Sequence, residues 1–196
     1  MPTIITHAFT GLVAGKIAAP GKMPIRFWVL SAVCPAFPDF DVVFHYAGVH
    51  YSTFLGHRGF FHSPFFALLF GLLVTTVYFS GSKAFSRKWW LLALYFSFIT
   101  AVHGIFDAMT FRGLGIAFLS PFSNERYLLP WRPLPPIVPS AEFMFSRWGA
   151  AVMWLEFKWV LVPTFAVLLL SIPVRRYILR ARPVQPPEPE TENHQT

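Results

Sequence analysis

Long apolar segments are the feature that most constrains how this chain can fold. Three stretches are long enough, at about 1.5 Å of rise per residue, to cross a hydrocarbon core roughly 30 Å thick. They run from Ser63 to Ser80, from Trp89 to Phe111 and from Gly149 to Ile172. Two shorter apolar stretches, Ile4 to Ala19 and Ile25 to Phe37, can form short crossings or a re-entrant hairpin. The sequence therefore predicts an all-α, polytopic membrane bundle of about five segments.

The low charge content supports a membrane protein over a soluble one. Only 13% of the 196 residues are charged, whereas roughly a quarter are charged in soluble domains. The net charge of +7 would suggest nucleic acid binding in a soluble protein, but here the basic residues lie in short runs beside apolar segments. We therefore expect membrane lipids as partners and no nucleic acid. Cys34 is the single cysteine, which excludes an intrachain disulfide and a thiolate-rich metal site.

Three basic runs predict the orientation of the segments, because cytoplasmic loops of membrane proteins carry an excess of Lys and Arg. The runs are Lys16, Lys22 and Arg26; Lys83, Arg87 and Lys88; and Arg175, Arg176, Arg180 and Arg182. With five crossings, the N-terminus and residues 38–62 and 112–148 lie outside, on the periplasmic side in a bacterium. Residues 1–182 form one membrane-embedded domain, and the Pro- and Glu-rich residues 183–196 form a disordered cytoplasmic tail.

Ionisable side chains gather at the outer ends of the predicted segments. The set consists of His7, Asp39, Asp41, His57, His62, His103 and Asp107. The spacing of His103 and Asp107 places both on one helix face. An aspartate inside a span costs about 2.5–3.5 kcal/mol on insertion scales, so it needs a partner. A divalent cation is one such partner, and a hydrogen-bonded polar pair that only packs the bundle is the alternative.

Two further motifs contribute to this set. The segment His57-Arg58-Gly59-x-x-His62 needs a bend, which Gly59 eases, to bring its two histidines together, and Arg58 suits a phosphate or carboxylate. Asp39 and Asp41 can bind a metal ion, although they also suit a helix N-cap and a first helical turn. Imidazoles and carboxylates without thiolate favour zinc, as one or two ions, with manganese and iron as alternatives.

The motifs taken in order resemble a known family. They are Thr6-His7, Pro38-Asp39-Phe40-Asp41, His57-Arg58-Gly59-x-x-His62, His103-x-x-x-Asp107 and Ser120-Pro-Phe-Ser-x-x-Arg126, and they resemble the YdjM-type family of bacterial inner-membrane proteins. The resemblance runs from His7 to about Pro139 and implies a membrane-embedded, metal-dependent hydrolase. A looser likeness to zinc-dependent phospholipase C enzymes and zinc nucleases implies metal ligands at Asp39 or Asp41, His57 or His62, His103 and Asp107. A second His-x-x-x-His/Glu element is missing.

The leading functional hypothesis is hydrolysis of a phosphoester, with or without a lipid tail, by metal-activated water. The candidate catalytic residues are Asp41, His57 and Arg58, and the candidate substrate contacts are Arg58, Arg112, Arg126 and Arg132. One alternative is a metal-independent membrane phosphatase in which His103 is the nucleophile and Asp107 orients it. Another alternative is a non-enzymatic ion or proton conduit, because ionisable groups inside membranes often serve as relays.

Overall fold

A computed structural model describes residues 2–19, 21–137 and 141–180 as helices joined by turns and loops. The helices are α1 (Ile4–Ala18), α2 (Ile25–Val33), a 3-10 helix (Cys34–Asp41), α3 (Val42–Tyr46), a 3-10 turn (Phe60–His62), α4 (Pro64–Tyr78), α5 (Arg87–Ala108), α6 (Ala141–Met144), α7 (Arg147–Glu156), a π-helical turn (Phe157–Leu161) and α8 (Val162–Arg180). The predicted helical membrane bundle is confirmed. The predicted disordered tail, residues 183–196, lies outside the described residues.

The membrane segments differ in length from the sequence prediction. Three helical stretches are long and apolar enough to cross a bilayer: Ile25–Tyr46, Arg87–Ala108 and Arg147–Val174. The first of these continues beyond Phe37, because the chain passes Pro38 as a 3-10 helix and goes on directly into α3. The predicted segment from Ser63 to Ser80 forms only the 15-residue helix α4.

Serine and threonine side chains set the starts of the helices that carry site residues. Thr3 caps α1 by accepting a hydrogen bond from the amide of Thr6 at 3.4 Å, and Ser63 caps α4 by accepting from Phe66 at 3.1 Å. Each hydroxyl satisfies an amide that has no partner within its own helix. As a result, His7 lies in the first turns of α1 and His62 immediately precedes α4.

The 3-10 helix Cys34–Asp41 packs against both α1 and α5, while α4 packs along α5. The apolar core lies nearer the other end of these helices, where Phe27, Leu30, Phe79 and Phe96 are buried together. This arrangement leaves the polar side chains of the 3-10 helix enclosed between α1 and α5.

An irregular cap folds over the C-terminal end of α5. Its backbone is tied to the helix end by hydrogen bonds from Leu129 to Ala108 (3.1 Å) and from Phe111 to Leu134 (2.9 Å), and the amide of Ala117 donates to the carbonyl of Arg58 (3.1 Å). The sequence predicted residues 112–148 as one segment outside the membrane. The part from Arg147 onward instead belongs to α7.

Glu156 fastens the last helical stretch to the start of α1. Its carboxylate is buried and accepts hydrogen bonds from the Thr3 amide (3.0 Å), the Thr3 hydroxyl (2.7 Å) and the Thr6 hydroxyl (2.5 Å). These bonds compensate the cost of burying the carboxylate. They also fix the turn of α1 that precedes His7.

Candidate metal centre

Four buried side chains converge at the C-terminal end of α5: Asp39, His62, His103 and Asp107. His103 Nε2 lies 3.4 Å from Asp39 Oδ1 and 4.0 Å from Asp107 Oδ2. His62 Nε2 lies 3.7 Å and 3.6 Å from the same two oxygens. Ligands at zinc distances of about 2.0–2.2 Å in a tetrahedron stand roughly 3.4 Å apart. The four donor atoms therefore have nearly the spacing that a tetrahedral metal site requires.

Local structure explains how these four residues meet. The i,i+4 spacing on α5 puts His103 and Asp107 on one face, and the 3-10 helix brings Asp39 against that face. Gly104 lies between the two α5 residues, and a Cβ there would stand only 2.6 Å from the carbonyl oxygen of His62. The absence of a side chain at this position therefore lets the turn that carries His62 approach the helix closely.

The donor atoms lack the hydrogen bonds that buried polar groups normally make. Among the described residues, His62 Nε2, His103 Nε2 and the carboxylate oxygens of Asp39 and Asp107 find no hydrogen-bond partner. The other nitrogen of His103, Nδ1, lies 2.8 Å from the carbonyl oxygen of Pro35. Nδ1 must donate in that bond, which leaves the Nε2 lone pair directed at the carboxylates. Metal-binding histidines typically donate their other ring N–H to a carbonyl or carboxylate in this way.

Asp41 contacts two histidines and one backbone amide beside the four buried residues described above. Its Oδ1 lies 2.6 Å from His57 Nδ1, and its Oδ2 accepts the Arg58 amide at 3.1 Å and lies 3.1 Å from His62 Nδ1. Asp41, His57 and His62 form a second grouping with metal-ligand spacing. The two groupings share His62, and a neutral imidazole offers only one lone pair. The geometry therefore favours one ion among the four inner residues, with Asp41 orienting His62.

The charges of the cluster match a divalent cation. Asp39, Asp41 and Asp107 are all buried, and Arg58, which is 5% exposed, is the cation beside them, with its Nε 3.2 Å from Asp107 Oδ2. With neutral histidines, three carboxylates and one guanidinium leave two negative charges. A divalent cation would neutralise them, as burial requires.

The protonation of His62 is linked to the same charge balance. Burial alone would lower the pKa of His62, but its contacts with Asp107, Asp39 and Asp41 raise the pKa well above its usual value. A metal ion that binds this imidazole must displace the proton, so metal affinity should fall as the pH falls.

The structure places His7 beside the inner group. Its ring is fully buried and stacks on His103 with ring centroids 4.0 Å apart, and its Nε2 lies 3.7 Å from Asp107 Oδ1. Neither ring nitrogen makes a hydrogen bond to the part of the chain that the structure describes. His7 thus lies beside Oδ1, the second carboxylate oxygen of Asp107, and is a candidate fifth metal ligand.

The four arginines predicted as substrate contacts have different surroundings. Arg58 and Arg112 line the same cavity, and both adopt the left-handed backbone conformation, with φ of 64° and 59°. Arg126 stacks on the ring of Tyr51 and donates to backbone carbonyls, including His57 at 3.1 Å, so it clamps the loop that carries His57. Arg132 is exposed and does not line that cavity.

Two cavities of opposite character meet at His57. One, of about 540 Å³, is mostly apolar and is lined by Ile4, Ile5, Val42, Ile137, Asp39 and His57. The other, of about 330 Å³, is lined by Tyr51, His57, Arg58, Arg112, Gly113 and Pro136. An apolar cavity and a cationic cavity thus lie beside the clustered His and Asp residues. Of these residues, His57 is the one that lines both cavities.

Sequence reasoning missed three contributors to the site. They are the carbonyl of Pro35, the missing side chain at Gly104 and the carboxylate of Glu156. All three act through contacts between distant segments, which local spacing does not reveal. Of these three, only Gly104 could have been noticed in the sequence, because it lies within the His103-x-x-x-Asp107 motif. Two further histidines, His45 and His50, are exposed and lie outside both groupings.

Comparisons with known proteins show that the chain is similar to inner membrane proteins. The model of the YdjM inner membrane protein family matches residues 1–179. The chain is 34% identical to the inner membrane protein YbcI of Escherichia coli (strain K12) over 167 residues, which cover 83% of this chain and 92% of the relative. No solved structure matches the chain significantly.

Proposed function

The chain belongs to the YdjM inner membrane protein family, and we propose that it is a metal-dependent hydrolase of phosphoesters attached to a lipid. The observation that carries the proposal is the buried group of Asp39, His62, His103 and Asp107. An apolar and a cationic cavity both reach the neighbouring His57. This combination suits a substrate with a long apolar tail and an anionic head.

The metal would be held by the four inner residues, and zinc suits this mixture of imidazole and carboxylate best. A divalent ion at this position would activate water and stabilise the negative charge that develops on the phosphoryl oxygens. The remaining residues of the cluster then have separate tasks in binding, orientation and proton transfer.

His57 is positioned to move a proton. It is the most exposed ring of the cluster, with 14% of its side chain accessible, and Asp41 holds its Nδ1 at 2.6 Å. A carboxylate in this place fixes the ring orientation and stabilises the protonated imidazole. The Nε2 side is left to face the cavities, where it would protonate the leaving group or accept a proton from water.

The two cavities would divide the substrate between them. The apolar cavity would hold the lipid tail against Ile4, Ile5 and Val42. Arg58 and Arg112, which line the other cavity, would bind the phosphoryl oxygens and stabilise their charge during the reaction. Because Arg58 also pairs with Asp107, it couples substrate binding to the metal ligands.

The basic turns support a location of the site on the periplasmic side of the membrane. Lys22, Arg26, Lys83 and Lys88 lie in or beside the turns at the other end of the helices, and cationic loops remain in the cytoplasm. The metal centre would then face the periplasm, with the C-terminus in the cytoplasm, and would act on lipids of the outer leaflet of the inner membrane.

The test is phosphate release from phosphatidic acid by the full-length protein in detergent micelles, with and without chelator. We expect chelation to abolish the activity and added zinc to restore it. His57→Ala should lower kcat by about 10²–10⁴-fold, the typical contribution of general acid–base catalysis, while the protein retains its metal. His50→Ala, which removes an exposed histidine, serves as the matched control.

Two results would count against the proposal. Activity that survives chelation would exclude a metal-dependent reaction, and unchanged activity in His57→Ala would exclude the assigned proton transfer. Trapping of a phosphohistidine in the chelated protein would instead favour the phosphatase alternative, although full burial of His103 opposes attack by that ring on a substrate.

A further inference from the structure

A small basic cavity lies where the turn between α1 and α2 meets the turn between α4 and α5. Its volume is about 220 Å³, and its lining includes Lys22, Arg26, Phe79, Ser82, Lys88 and Leu92. The two turns are separated by more than fifty residues along the chain. The fold therefore combines cations from two distinct basic runs into one site.

The cavity lies at the opposite membrane face from the metal centre. Lys88 and Asp107 stand on the same helix, α5, 19 residues apart, which corresponds to roughly 28 Å along the axis at 1.5 Å per residue. That distance is close to the hydrocarbon thickness of about 30 Å. Trp89 and Trp90 follow Lys88 directly, as aromatic residues do at the membrane interface. The cavity is therefore at headgroup level in the other leaflet.

The lining combines a cationic rim with an apolar floor. Lys22, Arg26 and Lys88 are exposed, and no carboxylate is among the residues that line the cavity. The guanidinium of Arg26 stands over the ring of Phe79, 5.2 Å from its centroid, a cation–π contact that holds the charge in place. Phe79 and Leu92 are buried beneath this rim.

We propose that this cavity binds the phosphate group of an anionic phospholipid from the cytoplasmic leaflet. Basic pockets between membrane helices on that side bind lipid headgroups in this way, and the apolar floor would contact the start of an acyl chain. A bound lipid would link the two turns and fix the depth of α2, α4 and α5 in the membrane. The site is remote from the metal centre and does not depend on hydrolase activity.

Native mass spectrometry of the full-length protein tests this proposal with phosphatidylglycerol and phosphatidylcholine of identical acyl chains. We expect preferential binding of phosphatidylglycerol. The double variant Arg26→Gln, Lys88→Gln should bind it roughly tenfold more weakly or worse. The control variant Lys83→Gln, Arg87→Gln removes the same amount of charge at the turn between α4 and α5, but from residues outside the cavity lining, and should bind nearly as tightly as the wild type.

Equal losses in the two double variants would overturn the proposal, because they would indicate diffuse attraction to a charged surface. Competition by inorganic phosphate at the lipid's own concentration would also overturn it, since the cavity would then take a free anion. Photo-crosslinking of the wild-type protein with a photoactivatable phosphatidylglycerol covers the case in which a variant does not fold. Crosslinks within residues 22–26 and 79–92 support the site, and crosslinks confined to other segments contradict it.

Discussion

Replacing Asp107 with alanine is expected to destabilise the metal-free protein by about 3–5 kcal/mol, the typical cost of removing one partner of a buried ion pair. Asp107 is fully buried, and the Nε of Arg58 lies 3.2 Å from one of its carboxylate oxygens. Without that carboxylate, a guanidinium that is itself only 5% exposed remains charged and has lost its closest acidic partner. The free energy of unfolding, measured in detergent with chelator present, provides the test.

The double variant Asp107→Ala, Arg58→Met separates this cause from simple loss of packing. Removing the orphaned charge should recover part of the lost stability, so the two substitutions should be strongly non-additive. Asp39→Ala is the comparison variant, because its carboxylate lies near His62 and His103 but has no close arginine among the described residues, and it should cost less. Additive effects of Asp107→Ala and Arg58→Met would show that the pair does not stabilise the fold.

Chelation of the bound metal should lower the unfolding temperature of the wild-type protein strongly. A ligand present at about a thousand times its Kd stabilises the folded state by roughly 4 kcal/mol, which corresponds to roughly 8–16 °C for a chain of this size. The structure supplies the reason for preferential binding to the folded state, because the four donors come from three separate segments and meet only when the bundle is assembled. A thermal shift with and without chelator measures the effect.

Variants of single histidines test whether the chelator-dependent thermal shift arises from this metal site. His50→Ala should respond to chelator as the wild type does, since His50 is exposed and its Nδ1 lies 2.7 Å from the hydroxyl of Ser52. His62→Ala and His103→Ala should unfold at the same temperature with or without chelator. A chelator effect that persists in both variants would place the metal elsewhere, for example in the grouping of Asp41 and His57.

The general architecture was predictable because it depends on local properties of the sequence. Apolar length and basic turns indicated the helical membrane bundle, and the i,i+4 spacing correctly placed His103 and Asp107 on one face of α5. The predicted apolar segment from Ser63 matches the start of α4, where the Ser63 hydroxyl accepts a hydrogen bond from the Phe66 amide. The convergence of the other ionisable residues was predicted from the number of membrane crossings. That number decides which ends of the segments lie on the same side of the membrane.

The finer organisation was not predictable, because it depends on how distant segments pack. The predicted apolar stretch ended at Phe37, just before Pro38, whereas the chain tightens into a 3-10 helix there and continues to Tyr46. The sequence also suggested no partner for Glu156, which holds Thr3 and Thr6 across the bundle. Arg126 looked like a substrate contact, but its guanidinium donates to backbone carbonyls of the loop before the site.

Elemental analysis of the detergent-purified, full-length protein tests whether these residues hold a metal ion. We expect about one zinc ion, or one equivalent of another divalent metal, per chain in the wild type and in His50→Ala. We expect almost none in a folded His62→Ala, His103→Ala double variant, which retains both aspartates of the inner group. A wild type without metal after zinc supplementation, or equal metal content in the double variant, would contradict the claim that these residues form a metal centre.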